Sequence, residues 1–187
     1  MKYPLASNSW DERELDAIQS VIDSNMYTMG EKVEQFEKEF AKEMGCKHAI
    51  MVNSGSSANL IMLTAAKIKY DWKKNFNIIV PSVAWSTTYF PVHQISARLN
   101  FVDINSDTMN INPEEVEKSI NNDTKAILAV NLLGNPADYD ALRLLAEKYN
   151  LVLLEDNCES FGASVNGKFT GTFGEMGSYS FFFSHHL

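Results

Sequence analysis

The chain opens with two amphipathic stretches and then changes period. In residues 3–25, YPLASNSWDERELDAIQSVIDSN, apolar Leu15, Ile18, Val21 and Ile22 recur three or four apart and share one helical face. Ser9, with Glu12 three residues on, has the residue types of a capping box. Asn25–Gly30 reads as a loop, and Glu31–Met44 as a second amphipathic helix built on Val33, Phe36 and Phe40. Gly45 is placed to stop it.

From His48 the pattern becomes short apolar run, turn, helix. HAIMVN (residues 48–53) predicts a strand, NSGSSAN a small-residue turn and LIMLTAAKIKY a helix. NIIVP (Asn77–Pro81) is the next strand, followed by SVAWSTTYFPVHQIS, where Pro91 limits any helix. ARLNFVDI is another strand. Asn112, Pro113 and Glu115 then supply a cap, a proline at the first helical position and a glutamate at the third. Thr124–Leu132 reads as strand, Ala137–Tyr149 as helix and Leu151–Glu155 as a buried strand. Asn166-Gly167 suits a tight hairpin turn. A last strand-like run, Tyr179–Phe183, delivers His185 and His186.

Strands alternating with helices at this spacing predict an α/β fold, a mostly parallel sheet with helices on both faces. Its 187 residues suit one domain, with no internal repeat, low-complexity tract or interdomain linker. Ligands of such sheets gather beyond the carboxyl ends of the strands. Four marked segments fall there: Asn53–Ala58, Ser82–Thr88, Glu155–Ser160 and Ser184–His186.

Composition narrows the partners. A net charge of −8 argues against nucleic acid or an anionic membrane, while a local site for a small anion stays open. Cys46 and Cys158 make no disulfide framework, and no cysteine or histidine cluster has metal-ligand spacing. With no signal peptide or membrane-length apolar run, the cytoplasm is the expected compartment.

Each marked segment has its own chemistry. Asn53–Ala58 follows a strand and opens a helix, so helix-start amides, Gly55 and the serine hydroxyls of Ser54, Ser56 and Ser57 can bind a phosphate. The same residues also serve simply to cap a helix. Asp156 and Glu159, after a buried strand, suit a cationic nitrogen, although a carboxylate there is equally a structural group. Glu155 reads as a solvent-facing alternative. Trp85 offers a flat face to a heteroaromatic ring, or packs in a core. Ser180 can add a hydroxyl to a phosphate site. Assembled, these parts fit pyridoxal or pyridoxamine 5′-phosphate, whose ring nitrogen pairs with an aspartate.

With these residues the chain resembles the sugar aminotransferase family of pyridoxal-phosphate enzymes, which act on nucleotide-linked 4-keto sugars. The similarity runs from Tyr3 to Leu187 through YPLAS, AIQSV, TMGE, WSTTY, FVDI, TKAIL, VNLLGNP, LLEDNCES, GTFG and SHH. It implies the aspartate-aminotransferase-like large domain of fold type I. Residues 1–187 would be the truncated amino-terminal part of that cofactor-binding domain, without the family's small carboxyl-terminal domain. It also implies that Gly55 and Ser56 receive the phosphate, Trp85 stacks on the ring, Asp156 pairs with its nitrogen, Glu159 lies close and Ser180 reaches the phosphate. Asn25, Met26, Tyr27 and Thr28 would touch the nucleotide sugar. A homodimer with shared active sites is implied as well.

His185 falls where aminotransferases of the family keep the lysine that bonds their cofactor. Imidazole cannot make that link, but it suits proton transfer near neutral pH. The resemblance therefore implies C3 dehydration of a GDP-linked 4-keto-6-deoxy sugar, with L-glutamate as amino donor and His185 as acid and base. His186 points the opposite way if the segment is extended. The alternatives are a dehydratase of the iron–sulfur type acting on a CDP-linked sugar, and an inactive fragment that only binds cofactor.

Overall fold

A computed structural model of the chain describes residues 10–182 and 185. The chain divides into two compact units, Met1–Met51 and Val52–Leu187. The first holds helix α1 (Glu12–Ser24) and helix α2 (Glu31–Met44). The capping box of α1 is two residues later than the sequence suggests: Asp11 is the cap and Glu14 its partner, accepting the Asp11 N–H at 2.7 Å. Ser9 lies outside the described residues. Asp11 wins because its carboxylate also accepts the Arg13 N–H, at 2.8 Å, so it satisfies an otherwise orphaned helix-start amide. The α1 stripe of Leu15, Ile18 and Ile22 is exposed. Helix α2 has the boundaries read from its periodicity and ends on Gly45 in the left-handed region.

In the second unit the chain runs α3 (Gly55–Lys69), β1 (Asn77–Pro81), α4 (Ser86–Gln94), β2 (Arg98–Val102), α5 (Pro113–Ser119), β3 (Thr124–Val130), α6 (Tyr139–Tyr149), β4 (Val152–Asp156), β5 (Ser164–Val165), β6 (Lys168–Phe169) and β7 (Met176–Ser178). Five strands form one parallel sheet in the order β2-β1-β3-β4-β7. Strand alternation divides two cores between its faces. Ile78, Val80, Ala126, Leu128 and Leu154 pack with Met62, Leu63 and Ala66 of α3 and Val92 of α4. Ile79, Ile127, Ala129 and Leu153 face the other way, against Val116 of α5 and Leu142, Leu145 and Ala146 of α6. The expected α/β architecture with helices on both faces is what the chain forms. Among the described residues no helix is long and apolar enough to cross a membrane.

Several local expectations change. His48–Asn53 is irregular rather than a strand, with Ile50 exposed; apolar residues favour a pleated surface only where a neighbouring strand supplies the ladder. Pro91 lies inside α4 rather than preventing it. A proline removes the hydrogen bond to the carbonyl four residues back, and that carbonyl, Thr87 O, lies 3.4 Å from the side-chain amide of Asn59. The last strand is Met176–Ser178, ahead of the Tyr179–Phe183 run; Tyr179–Phe182 is irregular and Phe183 lies outside the described residues. Strand β4 extends to Asp156, so Glu155 is a strand residue facing the α6 side. It is fully buried rather than solvent-facing, and its two oxygens accept the N–H groups of Gly171 and Gly174, both at 2.6 Å.

Candidate functional site

All five parallel strands end on one edge, and Gly55, Trp85, Asp156 and Glu159 lie in or beside the segments that follow those ends. Ser54 caps α3: its Oγ accepts the Ser57 N–H at 3.2 Å, and its carbonyl accepts that of Ala58. The amides of Gly55 and Ser56 have no acceptor within the helix, where the dipole is positive. Gly55 is required by crowding. A Cβ there would lie 2.8 Å from Cys158 Sγ and 2.9 Å from Ser180 Cβ. Three segments that are distant in sequence therefore meet at one helix start. The hydroxyl of Ser180 is held by the Phe182 N–H at 3.2 Å. Burial first, and the nearby Asp156 carboxylate second, push the Cys158 thiol up, so it stays neutral beside the helix start. A thiolate there would repel an anion.

Asp156 closes β4 and is buried at 5% exposure. Its Oδ2 accepts from Asn59 Nδ2 at 2.8 Å and Thr88 Oγ1 at 2.7 Å. Its Oδ1 accepts the Cys158 N–H at 3.2 Å. A carboxylate offers about four lone-pair positions, so the three bonds leave Oδ1 able to take one more donor. A protonated ring nitrogen is such a donor, so the residues present fit pyridoxal phosphate at both ends, anion cradle and carboxylate.

The Trp85 indole is exposed, and its N–H donates to Glu159 Oε1. Glu159 Oε2 accepts the Leu133 N–H at 3.2 Å, from a residue in the left-handed region that follows β3. The carboxylate thus ties the loops after β1, β3 and β4 together and orients the tryptophan face. His185 N–H donates to the Phe182 carbonyl at 2.9 Å, and its ring meets the Phe182 ring edge-on at 5.6 Å. No hydrogen bond among the described residues joins His185 to Asp156, Trp85 or Gly55. Ser184 and His186 lie outside the described residues. In the first unit, Met26 and Tyr27 are exposed, and the Tyr27 hydroxyl holds its own loop through Ile22 O at 3.1 Å and Asn25 Oδ1 at 3.0 Å.

Sequence reading overlooked Asn59, Thr88 and Ser178, which the fold places around Asp156. A signal existed for Asn59: it is a polar residue on the same helical face as Met62, Leu63 and Ala66.

Residues 8–187 match the DegT/DnrJ/EryC1/StrS aminotransferase family. GDP-4-keto-6-deoxy-D-mannose 3-dehydratase of Yersinia pseudotuberculosis is 53% identical over 189 residues, covering 100% of this chain and 48% of that protein. A crystal structure of GDP-4-keto-6-deoxymannose 3-dehydratase with a trapped PLP–glutamate geminal diamine superposes with a TM-score of 0.95 at 52% identity, covering 99% of this chain and 48% of that one. A histidine-to-asparagine variant of the same enzyme with bound GDP-perosamine gives a TM-score of 0.94 at 52% identity, over 99% and 48% of the two chains. The chain spans about half the length of the curated relatives it matches.

Proposed function

Because the chain belongs to the DegT/DnrJ/EryC1/StrS aminotransferase family, we propose that it serves the C3 dehydration of a nucleotide-linked 4-keto-6-deoxy sugar, GDP-4-keto-6-deoxy-D-mannose, with pyridoxal 5′-phosphate and its pyridoxamine form as cofactor. L-Glutamate is the amino donor, and a homodimer with shared active sites is the working assembly. The observation that carries the reading is the meeting of the α3 start, Ser180 and Asp156 at one sheet edge; the resemblance that sets His185 where the aminotransferases keep lysine turns it toward dehydration. The GDP-sugar relatives support GDP over the CDP-linked alternative.

The cofactor, when bound, supplies an amine for the sugar ketone and an electron sink for loss of the C3 hydroxyl. The chain does the rest. Gly55 and Ser56 hold the phosphate by their amides, with Ser180 adding a hydroxyl. Asp156 holds the ring N–H, and Trp85, steadied by Glu159, covers a ring face. With no covalent lysine link, retention of the cofactor depends more heavily on these contacts. Asn25, Met26, Tyr27 and Thr28 take the nucleotide sugar. His185 accepts a proton on its imidazole and, as imidazolium, hands one to the departing C3 oxygen. The deciding experiment supplies the protein with pyridoxal phosphate, glutamate and the GDP-linked keto sugar, and follows sugar dehydration by mass spectrometry. His185→Asn is expected to lower the rate at least 100-fold, on the order of a lost general acid–base, with cofactor still bound; full activity in that variant sinks the proposal. His186→Asn is expected to retain activity.

A further inference from the structure

Asn59 is 1% exposed on α3, and each polar atom of its side chain has a partner. Its Oδ1 accepts the Ser178 hydroxyl of β7 at 2.6 Å. Its Nδ2 donates to Asp156 Oδ2 at 2.8 Å and reaches the Thr87 carbonyl of α4 at 3.4 Å. The Asp156 carboxylate and the Thr87 carbonyl can only accept, so they fix which way the amide faces; a flipped amide would turn its oxygen onto both. The carbonyl is available because Pro91, four residues further along α4, has no N–H to give it. Three elements thus lock one amide, and that amide holds Asp156 Oδ2, while Asp156 Oδ1, bonded to the Cys158 N–H, keeps a further acceptor position. A leucine of similar volume would fill the same space without donating.

We propose that Asn59 is a positioning residue, acting through Asp156 on the ring nitrogen of the cofactor, and that the Ser178 hydroxyl steadies it through its hydrogen bond to Asn59 Oδ1. This inference rests on the cofactor reading above. The test compares binding of pyridoxal 5′-phosphate with binding of its 1-deaza analogue, in which the ring nitrogen is replaced by C–H, to the wild-type protein, Asn59→Leu and Ser178→Ala, with thermal melts of each. Wild type is expected to prefer the nitrogen-containing cofactor. Asn59→Leu is expected to lose about tenfold in affinity for it, the scale of one hydrogen bond to a charged group, with little change for the analogue. Ser178→Ala should show the same selective loss at about threefold, and carries the test alone if Asn59→Leu does not fold. Equal losses for both ligands, or none for either, overturn the inference while leaving the cofactor reading intact. A wild-type protein that binds the two ligands equally overturns the pairing of Asp156 with the ring nitrogen and the inference with it, and one that binds neither overturns the cofactor reading.

Discussion

At the scale of single residues, neighbouring positions do opposite work. Asp156 and Glu155 are adjacent, yet the two-residue period of a strand sends one to the α3 side with Asn59 and Thr88 and the other to the α6 side. The sequence shows two carboxylates at a strand end; which of them faces the ligand edge depends on where β4 stops. Gly55 reads from the sequence as a candidate phosphate residue, but the crowding that requires glycine there does not, because Cys158 and Ser180 are more than 100 positions away. Gly55→Ala is expected to cost about 1–3 kcal/mol in urea unfolding, as overpacking does, and to weaken pyridoxal phosphate binding in a fluorescence titration. Ser56→Ala, at an exposed position, is expected to leave unfolding nearly unchanged.

At the scale of elements, periodicity and caps were legible wherever the determinants are local. Helix α2 ends on its glycine, and α5 begins with Asn112 accepting the Glu114 N–H at 2.9 Å. The Asn166-Gly167 turn joins β5 to β6 with both residues at positive φ, 51° and 78°, the geometry a type I′ turn needs. Gly167→Ala places a Cβ at positive φ and is expected to lower stability by about 1 kcal/mol, measured as a shift in urea midpoint without a change in slope. Elements whose state depends on a distant partner were misread. His48–Asn53 has the composition of a strand but lacks a ladder among the described residues. Helix α4 tolerates Pro91, where the carbonyl it strands meets a side chain from another helix.

At the scale of the molecule, the buried Glu155 couples β4 to the Gly171–Gly174 turn that precedes β7. Burial raises its carboxyl above the usual glutamate range, against the backbone N–H groups of Gly174 and Gly171, which favour the ionised form. With the folded value above the unfolded one, the stability linked to this proton is complete below the unfolded value and drains as pH rises through the folded value. Glu155→Gln loses one of the two N–H acceptors, so it is expected to cost about 1–3 kcal/mol and to flatten the fall in stability from about pH 4 upward, read from chemical denaturation across pH. The sequence by itself determined the parallel sheet, most helix stops and starts and the hairpin, since periodicity, caps and turn chemistry act within a few residues. Only the tertiary structure decided that Glu155 is buried on the α6 side while Asp156 faces α3, that Gly55 meets Ser180 and Cys158, and that Asn59 and Thr88 clamp the Asp156 carboxylate. Those facts depend on strand order and on the close approach of segments far apart along the chain, which local pattern does not encode.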